Sequence, residues 1–187
     1  MKNMKNTTNN TLKTRRITAL IIIFTLLHGC SKAAYEQKKG KVNANLNGIE
    51  LPENYKDWKV LSASHRIDNS TMRIILGNDI AIKASRNNQT NPWPNGSIIG
   101  KLVFKQKTES NWSTAIAPDE SKFIHAEFMF KDTNRFVNNG TGWGWARWLG
   151  DKQTPYGNKN DLNQSCIACH TPVKGNDWVF STPIKLP

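Results

Sequence analysis

The sequence predicts an α+β fold: a single domain built on an antiparallel β-sheet with short helices. Three observations point there. Apolar residues between positions 59 and 149 recur mostly with period two, the pattern of half-buried strands. Helix signals are confined to short stretches, chiefly one capped at Asn78 and one ending at His170. Residues 49–187 form a comfortable length for one hydrophobic core and contain no internal repeat.

Taken in order, Pro52 to Trp58 reads as a short helical turn that enters a strand at Lys59 to His65. Thr71 to Leu76 is a second strand. Asn78 and Asp79 can cap a helix running through Ala84, because a short polar side chain there accepts from an otherwise unpaired backbone N–H. Asn87 to Gly96 is a loop stiffened by Pro92, Trp93 and Pro94. Ser97 to Lys105 alternates, with Ile98, Gly100, Leu102 and Phe104 facing one way and Ile99, Lys101 and Val103 the other. Phe123 to Lys131 does the same, setting Phe123, His125, Glu127 and Met129 against Ile124, Ala126, Phe128 and Phe130. Asp132 to Phe136 is a turn or short helix, Trp143 to Leu149 another strand, and Asp161 to His170 a helix.

That last segment carries the motif with the most chemistry, Cys166-Ile167-Ala168-Cys169-His170. C-x-x-C-H is the spacing at which two thiols add to the vinyl groups of one haem while the adjacent imidazole becomes the proximal iron ligand. The expected cofactor is therefore one covalently attached haem c, held by Cys166, Cys169 and His170. A thioredoxin-like redox pair would need a βαβ context and a helix start at the first cysteine. A zinc site would need two further ligands, and only His65 and His125 remain beyond the motif in residues 30–187.

The chain has 3 cysteines, and the third is accounted for by its surroundings. Residues 1–29 read as an export signal: Lys2, Lys5, Lys13, Arg15 and Arg16 precede an apolar run, Ile17 to Leu27, that is too short to span a bilayer. Leu27-His28-Gly29-Cys30 is similar to a lipobox, with Cys30 as the acylated residue and His28 an unusual occupant. Residues 30–48, the lipobox cysteine and a Lys-, Asn- and Ala-rich stretch, are expected to be a flexible spacer between a membrane anchor and the domain. Ser31, rather than aspartate, follows the cysteine and favours the outer membrane by analogy. Export fits the motif, since haem c is attached on the oxidising side of the membrane.

Losing residues 1–29 removes five of 26 basic residues and none of 14 acidic ones, which leaves 21 against 14, a net +7. No basic cluster interleaved with aromatics is present, so nucleic acid is not an expected partner. The charge suits solubility, anionic surfaces and an acidic electron-transfer partner.

Several blocks together resemble the cytochrome P-460 family, small exported haem c proteins that include hydroxylamine-oxidising cytochromes and the gas-binding cytochromes c′-beta. They are Leu51-Pro52-Glu53-Asn54-Tyr55-Lys56-Asp57-Trp58, the run Asn95 to Val103, the run Glu127 to Phe136, the haem motif, and Asp177-Trp178-Val179-Phe180. The resemblance spans roughly residues 50–184 and makes residues 49–187 a cytochrome P-460-like haem domain.

The resemblance implies a strand lysine bonded to a meso carbon of the haem, matched by Lys101. It also implies a distal arginine and carboxylate, matched by Arg73 and Glu127. The implied activity is oxidation of hydroxylamine, or handling of small nitrogenous or diatomic ligands, with electrons passed to an external acceptor. A homodimer is implied as well. A gas-binding protein of the c′-beta kind would leave Lys101 free and cap the iron with Phe128 or Phe123. A simple electron carrier would need a sixth ligand from Met129, Met72 or His125. The tryptophan-rich run Trp143-Gly144-Trp145-Ala146-Arg147-Trp148 and the lipid anchor depart from the hydroxylamine oxidisers.

Overall fold

Period-two patterning becomes a six-stranded sheet whose spatial order is its chain order, every neighbouring pair antiparallel. The structure, a computed structural model, describes residues 42–157 and 161–187. Its strands are β1 (Lys59–Arg66), β2 (Thr71–Gly77), β3 (Ile98–Glu109), β4 (Trp112–Lys131), β5 (Trp143–Leu149) and β6 (Thr154–Tyr156). The helices are α1 (Asp79–Arg86) and α2 (Asp161–His170), with 3-10 turns at Tyr55–Asp57, Ile67–Asn69, Val137–Asn139 and Thr171–Asn176. The expected α+β class is the observed one.

Alternation divides the core between the sheet's two faces. On one, Ile75, Ile99, Met129, Trp143 and Trp145 pack with Leu61, Trp93 and Val179, and with Ala81, Ile82 and Ala84 of α1. On the other, Leu76, Ala126, Phe128, Ala146 and Trp148 pack with Ile49 and Tyr55. Gly100 lets the Phe128 ring lie against β3, because a Cβ there would stand 2.6 Å from Phe128 Cε1. The Asn78 side chain caps α1 by accepting from Ala81 N at 3.0 Å, and it accepts from Ile98 N as well, which ties the helix start to β3.

Three expectations are corrected. The hairpin of β3 and β4 runs well past Lys105 and starts well before Phe123, because residues 106–122 pair only with each other and need no apolar alternation. Pro118 sits in this part of β4, where no strand lies on its other side and a missing N–H is tolerated. The register slips between Val103 and Phe104, so strict alternation fails near Ile124 and Phe123 packs on the Phe128 face instead of beside His125. Beyond the expected elements, residues 150–157 add β6, a three-residue edge strand whose central Pro155 is tolerated at that edge.

The third correction concerns the spacer. The folded unit begins at Val42, so residues 42–48 are not spacer. Asn45 Nδ2 donates to the carbonyls of Arg147 (2.9 Å) and Tyr156 (3.2 Å), and Asn47 Nδ2 to that of Trp145 (2.7 Å). Trp148 Nε1 donates to the Asn43 carbonyl at 3.1 Å. The export signal and Cys30 lie outside the described residues.

Candidate functional site

Residues paired directly across antiparallel strands point to the same face. Ile75, Lys101, Glu127 and Arg147 are successive partners from β2 to β5 and form one such row. The next row is Arg73, Val103, His125 and Leu149, and on the other side lie Ile99, Met129 and Trp145. Lys101, Glu127 and Arg73, distant in sequence, thus share the face against which α2 packs Cys166 and Ile167.

Glu127 is the hub of this face. Its Oε2 pairs with Lys101 Nζ, its Oε1 with Arg147 Nη2, and His125 Nε2 stands 3.4 Å from Oε1. Burial alone would raise its pKa, but the Lys101 and Arg147 cations outweigh it and hold the carboxyl down at about 2. For His125 burial dominates: despite the attraction of Glu127, the imidazole is pushed down to about 4. Arg73 lies one row away, its pKa lowered by burial and by the like charge of Arg66, and it feels Glu127 through space. Arg147 was missed from sequence. The available signal was a cation on the Trp143–Trp145 side of an alternating strand; its guanidinium also lies 5.0 Å from the centre of the Tyr156 ring.

A pH dependence follows, with one sign. Both groups bind protons less readily folded than unfolded, so their contribution to stability is present above about pH 6.5 and is lost as pH falls. His125 carries the loss between about 6.5 and 4, and Glu127 the loss between about 4.5 and 2. A His125→Gln variant is expected to flatten the upper limb and leave the lower one. Denaturant unfolding at a series of pH values checks this; an unchanged upper limb would refute it.

On α2, Cys166 and Cys169 are one turn apart and so share a side of the helix; both thiols are free, the first half-buried and the second exposed. Cys166 is pushed up to about 11 by burial and then by the charge of Glu127. Redox pairs of the thioredoxin kind instead lower the first thiol at a helix start, and Cys166 is in the middle of α2. Among the described residues no three His, Cys, Asp or Glu side chains converge as metal ligands, which leaves the zinc reading without a donor set.

His170 closes the helix with its ring 6.0 Å from that of Trp145 and edge-on to Phe180 at 5.0 Å. Its Nδ1 is 2.6 Å from the Trp178 carbonyl. A carbonyl only accepts, so Nδ1 carries the proton and the Nε2 lone pair of the neutral ring is available to a metal. Burial lowers its pKa, which favours that neutral form, while the carbonyl bond opposes the shift.

The donor set fits a haem. Two thiols and a neutral imidazole lie on one helix segment, and the buried Arg73 Nε, Arg147 Nε and Trp145 Nε1 have no acceptor among the described residues, which leaves them for a group bearing carboxylates. Phe128 and Phe123 pack on the opposite face, and so does Met72, one residue out of phase with Arg73; Met129 and His125 are on the α2 face.

Fold and donor set define a small antiparallel-sheet haem protein. Residues 52–181, well over half of the chain, match the family model of cytochrome P-460, and the chain belongs to that family. It is accordingly a haem-binding cytochrome. No curated protein matches it.

Proposed function

We propose that this chain is an exported cytochrome with one haem c that oxidises hydroxylamine, or a related small nitrogen compound, and passes electrons to an external acceptor. In this reading Cys166 and Cys169 hold the haem, His170 ligates its iron, and Cys30 bears the lipid that tethers the domain to a membrane. When bound, the haem supplies an iron that takes small nitrogenous or diatomic ligands and a redox centre for their electrons.

The observation that carries the reading is the charged row Lys101–Glu127–Arg147 on the face covered by α2. A purely gas-binding site would be lined by apolar groups. Phe128 and Phe123, the candidates for that role, lie on the far face. Glu127 is ionised at neutral pH and can accept protons released from substrate. Two cations also make it a weak base. Any chemistry that consumes the ammonium charge of Lys101, as bonding to a haem carbon does, would strengthen it.

The test is the absorption spectrum of the dithionite-reduced protein, matured with haem-attachment machinery, beside that of Lys101→Ala. A strongly red-shifted Soret band that is lost in the variant is expected. Identical, ordinary high-spin haem c spectra would shift the reading to gas binding, and absence of haem would end it.

A further inference from the structure

The turn after α2 contains a backbone anomaly that the proposed chemistry leaves unexplained. Asp177 (φ 45°) and Trp178 (φ 67°) are consecutive left-handed residues, and neither is glycine. Side chains disfavour that region, so two in succession persist only where the surroundings impose them.

Asp177 is where they are imposed. Its Oδ1 accepts from Lys131 Nζ at 2.7 Å and its Oδ2 from the Trp93 backbone N–H at 2.8 Å. The ion pair is buried, with side chains 5 % and 10 % exposed, and the ammonium also lies 5.0 Å from the centre of the Trp143 ring. Lys131 ends β4 and pairs in register with Trp143 of β5, so the clamp fastens the turn to the rigid part of the sheet. The Trp178 N–H bonds back to the Val173 carbonyl at 3.1 Å. What this conformation delivers is the Trp178 carbonyl, 2.6 Å from His170 Nδ1.

We propose that Asp177, clamped by Lys131 and Trp93, is a positioning residue for His170: the clamp imposes the left-handed turn that aims the Trp178 carbonyl at the imidazole. The inference rests on the reading of His170 as iron ligand. An acceptor on Nδ1 fixes the tautomer, orients the ring and increases the electron donation of Nε2. Three elements thus act on one ligand: the sheet supplies Lys131, the loop before β3 supplies Trp93, and the segment after α2 carries the carbonyl. The buried pair would otherwise be an expensive choice, since a well-packed apolar pair often serves stability as well.

The test uses the holoprotein and its Asp177→Asn variant, which keeps the side-chain volume and an acceptor for Trp93 but loses the ionic partner. Two quantities are read: the iron–histidine stretching frequency of the ferrous protein by resonance Raman, and the midpoint potential of the haem. With covalent haem content unchanged, the stretch is expected to move to lower frequency and the potential to rise, because a less basic imidazole stabilises the ferric state less. A lower melting temperature with both quantities unmoved would make Asp177 a structural residue only and overturn the proposal. Where Asp177→Asn fails to accumulate, Lys131→Met carries the same test from the other side of the clamp. His170→Ala separates the two layers. If the iron–histidine band survives in it, the assignment of the ligand has failed and this inference goes with it; if the band disappears while Asp177→Asn leaves it unshifted, only the positioning role has failed.

Discussion

A protein carrying Cys166→Ala together with Cys169→Ala is expected to emerge from haem maturation without any covalently held haem. Thioether bonds survive denaturation, so the readout is haem staining of the denatured polypeptide, strong in the wild type and absent in the double variant. No other thiol follows Cys30 in the sequence, so none can substitute. Single variants retain one bond and a reduced stain, and His170→Ala keeps the stain while losing its iron ligand. Cys169 is exposed and Cys166 half-buried, so loss of Cys166 is expected to disturb packing against the Trp145 side of the sheet as well. A double variant that stains like the wild type would remove the basis for calling this a c-type site.

If the proposed oxidation is the activity, Glu127→Gln is expected to lower the turnover of hydroxylamine by about a hundredfold or more, the usual range for loss of a proton acceptor. The amide keeps the shape and one acceptor oxygen, so the effect should fall on kcat more than on KM. It also leaves Lys101 and Arg147 on one face without their shared anion. Each of those side chains is about a third exposed, and water limits the penalty to roughly 1–2 kcal/mol of stability. Turnover within twofold of wild type would exclude Glu127 from proton transfer.

The two faces of β3 and of the inner half of β4 were legible because their side chains alternate between two separate core clusters. That alternation placed Lys101 with Ile99, and Glu127 with His125 and Met129, on what is in fact one surface. Where burial supplies no pattern, the sequence was silent. The outer part of the β3–β4 hairpin is largely open to solvent, with Trp112 at its tip and Ile116 both exposed. Residues 42–48 are held mainly by asparagine side chains bonding to backbone carbonyls, a device with no period, beside a single apolar contact from Val42. Arg147 and the pair Lys131–Asp177 were missed for a third reason. Their partners are set by register and chain return, and spacing along the sequence does not encode that.

Each strand pairs only with its predecessor and successor, so the sheet can grow strand by strand, while the segment 78–97 between β2 and β3 and the return of residues 43–47 onto β5 and β6 are its long closures. The cysteines come after the last strand, and their segment packs Cys166, Ile167 and Trp178 against a core that also takes in Val179. Scaffold and haem-motif segment therefore close together, because the stretch that carries the motif also brings Val179 into the core and Asp177 to the buried Lys131 ammonium.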